Sequence, residues 1–150
     1  MKRIILITAL AFCCACAYAG DNKLTFNHVT LIVSDIEASE KFYVGVLKLE
    51  KLKSPFGPSD DPFLFLSLGG GTELHMGEIE GVEVGSNGIN HFAMAVDNFD
   101  GFLEYLKSSG VIYGDLGGGN DYHVTHRPDG VRQVYITDPD GYWIEINDVK

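Results

Sequence analysis

Four apolar segments of this chain each carry one residue able to bind a metal or move a proton. His28 opens "HVTLIV", His75 lies within "ELHM", His91 opens "HFAMAV" and Glu145 lies within "WIEI". Taken singly, each would be an ordinary satisfied or surface residue. Three imidazoles and one carboxylate together are the donor set that borderline divalent metals favour. Glu73 stands two residues before His75 and shares its face in a strand, where successive side chains alternate sides.

The elements that must position these residues come as a duplicated unit. "NHVTLIVSDIEASEKFYVGVL" from Asn27 matches "NHFAMAVDNFDGFLEYLKSSG" from Asn90: each opens Asn-His, alternates like a strand, reaches an acidic residue and enters a helical pattern. Ser34 with Glu37 reads as a capping box for the first helix. Asp97 or Asn98 can cap the second, where Phe99, Phe102, Leu103 and Leu106 follow helical spacing and Gly110 closes it.

The closing strands match too. "FLSLGGGTELHM" (65–76) lies over "YITDPDGYWIEI" (135–146) without a gap, placing His75 on Glu145 and Glu73 on Trp143. Opening strands match at an offset of 63 and closing strands at 70, so the second half holds seven more residues, assigned to "YGDLGGGNDYHVTHRPDG". In all four segments the flanking Val, Leu, Met or Ile residues occupy the opposite face from the polar residue. Two pseudo-symmetric modules could therefore converge their polar faces on one cavity. The repeat favours His75 over Glu73 as ligand and leaves Glu73 as a neighbouring group, a base or an alternative ligand.

Composition narrows the class. The chain opens with "MKRIILITALAFCCACAYA", two cations, an apolar run and a small-x-small end: an export signal over residues 1–19, followed by one domain, 20–150. Cys13, Cys14 and Cys16 all lie in that segment, so the mature chain has neither disulfide nor thiolate ligand. The full chain carries a net charge of −10, and losing Lys2 and Arg3 makes the mature domain more negative still, which argues against nucleic acid or an anionic membrane as partner. A periplasmic or secreted protein with a small-molecule substrate is expected.

With these motifs in hand, residues 24–150 resemble the vicinal oxygen chelate superfamily, which includes glyoxalase I, methylmalonyl-CoA epimerase, extradiol dioxygenases and fosfomycin or bleomycin resistance proteins. The resemblance implies an α+β fold of two tandem βαβββ modules, forming a cupped eight-stranded mixed sheet around a divalent metal. It matches His28, His91 and Glu145 to the family's ligand positions. The fourth is Glu73 by the glyoxalase I pattern and His75 by that of other relatives. Zinc, nickel or manganese would support lyase or isomerase chemistry, with Glu145 or Glu73 as base beside a metal-stabilised enolate. Iron would support oxygenation, and a sequestering resistance protein would use the same cavity. The modules can close within one chain or between chains of a homodimer.

Substrate clues cluster in "DYHVTHRPDGVRQ". The two arginines of the mature chain, Arg127 and Arg132, lie there beside Tyr122 and His123, and could attract an anionic group. Arg132 and Gln133, entering a strand, are preferred over Arg127. Trp143 shares the face of Glu145 and is assigned to the pocket wall.

Overall fold

The computed structural model describes residues 24–57, 63–86 and 89–150. The expected signal segment, 1–19, lies outside the described residues, as does the middle of the proline-bearing loop 53–63.

The first module runs β1 (His28–Val33), α1 (Ile36–Glu40), β2 (Phe63–Gly69) and β3 (Thr72–Glu78). Asp35 caps α1, its Oδ1 accepting from the amides of Glu37 and Ala38 at 2.9 and 3.0 Å. Ser34, expected in that role, instead gives its amide and hydroxyl to Asp140 of the second module. The helix continues as a π-helical stretch, Lys41–Val46, and Leu47 bonds back to the carbonyl of Phe42. The second module runs β4 (His91–Ala95), α2 (Phe99–Ser108), β5 (Thr125–His126), β6 (Arg132–Thr137) and β7 (Trp143–Asn147). Asn98 caps α2 by accepting from Gly101, and Gly110 follows the helix with φ of +75°, a conformation glycine adopts without steric cost.

Both modules share one strand order. The first sheet runs β1-β3-β2 and the second β4-β7-β6-β5, with the opening strand parallel to the closing strand in each. A short edge beside β2 completes the first sheet. Lys51 bridges Leu66 there, with Leu52 donating to Phe65 and Glu50 accepting from Ser67. Counting that edge, each module supplies four strands, and the α+β architecture of two βαβββ units is present. The extra residues of the second half are visible in the same place. Gly114 bridges Tyr135, Thr125 pairs with Gln133, and the chain between them leaves the sheet as a loop.

Strand alternation sets the faces. Leu31, Val33, Leu74 and Met76 of the first sheet join Val134, Ile136, Ile144 and Ile146 of the second in one core with Phe99, Leu103 and Leu106 of α2. Full burial of each such side chain contributes about 1.5–3 kcal/mol. Tyr43 is fully buried, and its hydroxyl donates to Asp138 Oδ2 at 2.9 Å. Tyr105 donates to the carbonyl of Val46 and Tyr142 to that of Ile32, so three phenols tie the modules together. Both polar faces are therefore turned away from the shared core.

Candidate metal and substrate site

On the first module's polar face, the parallel register sets His28 opposite Glu73 and Thr30 opposite His75. The rings of His28 and His75 stack, with centroids 4.3 Å apart and 13° between planes. His75 Nε2 lies 2.8 Å from Glu73 Oε2, and Phe65 presents its edge to His75 at 4.6 Å. Asn27 Oδ1 lies 2.7 Å from His28 Nδ1. An oxygen there requires the hydrogen on Nδ1, which leaves the Nε2 lone pair available to a ligand.

The second module sets His91 opposite Trp143 and Ala93 opposite Glu145. His91 Nε2 is 3.3 Å from Glu145 Oε2, the oxygen that also accepts from the Tyr135 hydroxyl at 2.9 Å. Glu145 Oε1 accepts from Asn147 Nδ2 at 2.7 Å and has Arg127 Nη1 4.0 Å away. Gln133 Nε2 donates to the Tyr135 hydroxyl at 3.1 Å. Burial, then the bond to Glu145, pushes the Tyr135 phenol up to about 12, so it stays a donor at neutral pH. The two acids differ in setting. The Glu145 side chain is only 8% exposed and bonded at both oxygens, whereas that of Glu73 is 42% exposed.

As donors these residues fit a divalent metal: His28 with an oriented Nε2, His91 beside Glu145, and the Glu73–His75 pair. Within one chain they do not come together as a single four-residue group. Among the described residues, no group of three or more His, Cys, Asp or Glu side chains is arranged to hold a metal ion. The candidates form two half-sites, one per module. Each half-site lies on the polar face of its own sheet, the apolar faces being spent on the shared core.

Arg132 is a second correction. It faces the helix side with Val134 and Ile136, where it bonds Asp148 at 2.8 Å and Asp100 at 2.7 Å and lies over the Phe99 ring. Arg127, ranked below it from sequence, is the arginine beside Glu145. Gln133 reaches the site through Tyr135, and Trp143 flanks the Tyr135 ring at 6.2 Å. Tyr122 packs edge-on to Tyr113 under Lys107, on the outside of the loop, and His123 is exposed beside it. Sequence reasoning passed over Tyr135 and Asn147, although strand parity places both on the face of Glu145. It also left unused the Asn that precedes His at both repeat positions.

Comparison with known proteins agrees with this fold. The family model of the Glyoxalase/Bleomycin resistance protein/Dioxygenase superfamily matches residues 25–146. The uncharacterized protein YwbC of Bacillus subtilis is 30% identical over 123 residues, covering 79% of this chain and 93% of YwbC. A lactoylglutathione lyase of Schizosaccharomyces pombe is 26% identical over 147 residues, covering 80% of this chain and 46% of that longer protein. Among solved structures, the oxidase ChaP-H2 superposes with a TM-score of 0.67 at 26% identity, covering 85% of this chain and 94% of its own.

Proposed function

Because the chain belongs to the Glyoxalase/Bleomycin resistance protein/Dioxygenase superfamily, we propose that it is an exported, metal-dependent enzyme of the lyase or isomerase type, working as a homodimer on a small oxygen-rich substrate. The observation that carries this reading is the pair of half-sites at repeat-related positions. His28 with Glu73 and His75 lies on one polar face, and His91 with Glu145 on the other. A second copy can bring the first half-site of one chain against the second half-site of its partner. Exposed apolar side chains precede both opening histidines. Phe26 and Ile89, each two residues before its histidine, are 70% and 76% exposed.

Within such a site His28, His91 and Glu145 would hold zinc, nickel, manganese or iron, together with Glu73 or His75. The metal, when bound, supplies Lewis-acid stabilisation of negative charge on two neighbouring substrate oxygens. Glu145, bonded at both oxygens by Tyr135 and Asn147, is suited to a fixed ligand. Glu73 is the better base: it is accessible, and His75 can take or return a proton at its Oε2. That pair can lift a proton from carbon next to a carbonyl and return it to the adjacent carbon. The likeness to lactoylglutathione lyase supports this class. The likeness to an oxidase supports a second reading, in which the two-histidine, one-carboxylate set His28, His91 and Glu145 holds ferrous iron and activates oxygen.

Complementation between variants tests the proposal. His28→Ala and Glu145→Gln chains of the mature protein should each lose metal, measured per chain after purification without chelator. Unfolded and refolded together, they should form mixed dimers with one intact site, and metal should return. No return on mixing, with wild type loaded, would place each site within one chain and sink the dimer. Wild type that takes up no supplied metal would sink the enzyme reading. Nickel, zinc or manganese in the site directs assay toward proton transfer; iron with oxygen consumption directs it toward oxygenation. Amino-terminal sequencing of protein recovered outside the cytoplasm tests export, with a start at Gly20 expected.

A further inference from the structure

The residues added to the second module build a pocket beside Glu145, and its walls point to the kind of substrate. Gly114 leaves the edge of β6, and the chain returns at Thr125 after a closed loop. Asp115 ties that loop: Oδ1 accepts from the amides of Gly119 and Asn120 at 2.9 and 3.1 Å, and Oδ2 accepts from the Asn120 side chain at 2.7 Å. Gly114 must lack a side chain, because a Cβ there would lie 2.5 Å from the Asn120 carbonyl oxygen. The loop then folds over the sheet. A Cβ on Gly118 would touch the Trp143 ring at 3.4 Å.

Between loop and sheet lies a cavity of about 260 Å³, lined by Tyr113, Tyr135, Trp143, Gly118, Asn120 and Asp121 among others. Drug-sized ligands occupy pockets of roughly 300–1,000 Å³, so this one suits a molecule of one or two rings. Three aromatic side chains wall it. Tyr135 and Trp143 meet at 61°, a corner offering one ring face and one ring edge. The lining has no Lys or Arg, and Asp121 is its one carboxylate. An anionic substrate group gains nothing there. Tyr135 belongs to both places: its ring walls the cavity and its hydroxyl bonds Glu145.

We propose that this pocket seats the planar aromatic ring of an uncharged substrate whose vicinal oxygens reach toward His91 and Glu145. The assignment rests on the proposed catalytic reading of that site.

Trp143 is the only tryptophan of the chain, so tryptophan emission reports on this wall alone. The mature protein would be titrated with 4-nitrocatechol at mildly acidic pH, where its phenols stay protonated and it absorbs tryptophan emission. The titration is run with chelator and again with supplied metal. Saturable quenching at one probe per chain is expected in both, tighter with metal. Asp115→Ala, which unties the loop, should weaken binding by about tenfold, the scale of one lost aromatic packing contact. Trp143→Leu, followed by calorimetry, should do the same, and Trp143→Phe should restore most of it. Circular dichroism of each variant should match wild type. Quenching that stays linear, or that Asp115→Ala leaves unchanged, would overturn the pocket. So would hydroxyacetone, which has vicinal oxygens without a ring, binding as tightly. Saturable binding with chelator in a protein that takes up no metal would keep the pocket and remove the metal enzyme, so the two failures are distinct.

Discussion

Asn27 holds His28 in one tautomer, with its Oδ1 2.7 Å from His28 Nδ1. Residues that bond the far nitrogen of a metal-binding imidazole orient the ring and raise its basicity, and their loss costs roughly 10–100-fold in metal affinity. Asn27→Ala should show a loss on that scale in competition with a chromophoric chelator. Asn27→Asp, which keeps the acceptor, should retain most of the affinity. Equal affinity in Asn27→Ala and wild type would remove His28 from the ligand set.

The Tyr135–Glu145 bond gives a pH signature. The phenol is raised from 10.0 to about 12 in the folded chain, by burial and then by Glu145. A raised folded pKa favours the protonated form, so its contribution to stability is fully present below pH 10 and is lost as pH rises through about 12. Urea unfolding across that window should show wild type losing its advantage over Tyr135→Phe. An advantage that is constant through the window would mean that Tyr135 titrates alike in both states.

Tyr43 and Asp138 form the buried link between modules. Burial pushes the Asp138 carboxyl above the ordinary range, and the phenol is one of the donors that keep it satisfied. Tyr43→Phe leaves Asp138 Oδ2 short of its partner and should cost about 1–3 kcal/mol, the penalty of an unsatisfied buried acceptor. Chemical denaturation of the two proteins checks this.

The proposed homodimer predicts coupled losses. Aspartate at both exposed apolar positions, Phe26→Asp with Ile89→Asp, should halve the mass seen by light scattering. Metal content should fall with it, although no ligand has changed. Mass that halves while metal is kept would show that each site closes within its own chain.

Substituting Glu73→Gln and His75→Ala separates base from ligand. Glu73→Gln should keep metal and lose turnover by about a hundredfold or more, the scale of general-base catalysis. His75→Ala should lose less turnover if His75 only passes on the proton at Glu73. Metal lost with Glu73→Gln would make Glu73 the fourth ligand.

The sequence by itself determined the two modules, the strand that carries each candidate ligand and the face each occupies. Those properties follow from local alternation and from a repeat with constant offsets. It could not determine whether the faces meet, because that depends on how two finished sheets pack, and their shared core turns the polar faces away from it. Arg132 and Arg127 show the same limit at the scale of a side chain. Each is a charged residue near the second half-site in sequence, and only tertiary structure gives one to Asp100 and Asp148 and sets the other beside Glu145. The aromatic pocket was equally hidden. Its residues come from two strands and a loop that the Asp115 turn shapes and the Gly114–Tyr135 bridge joins to the sheet, contacts with no periodic signature.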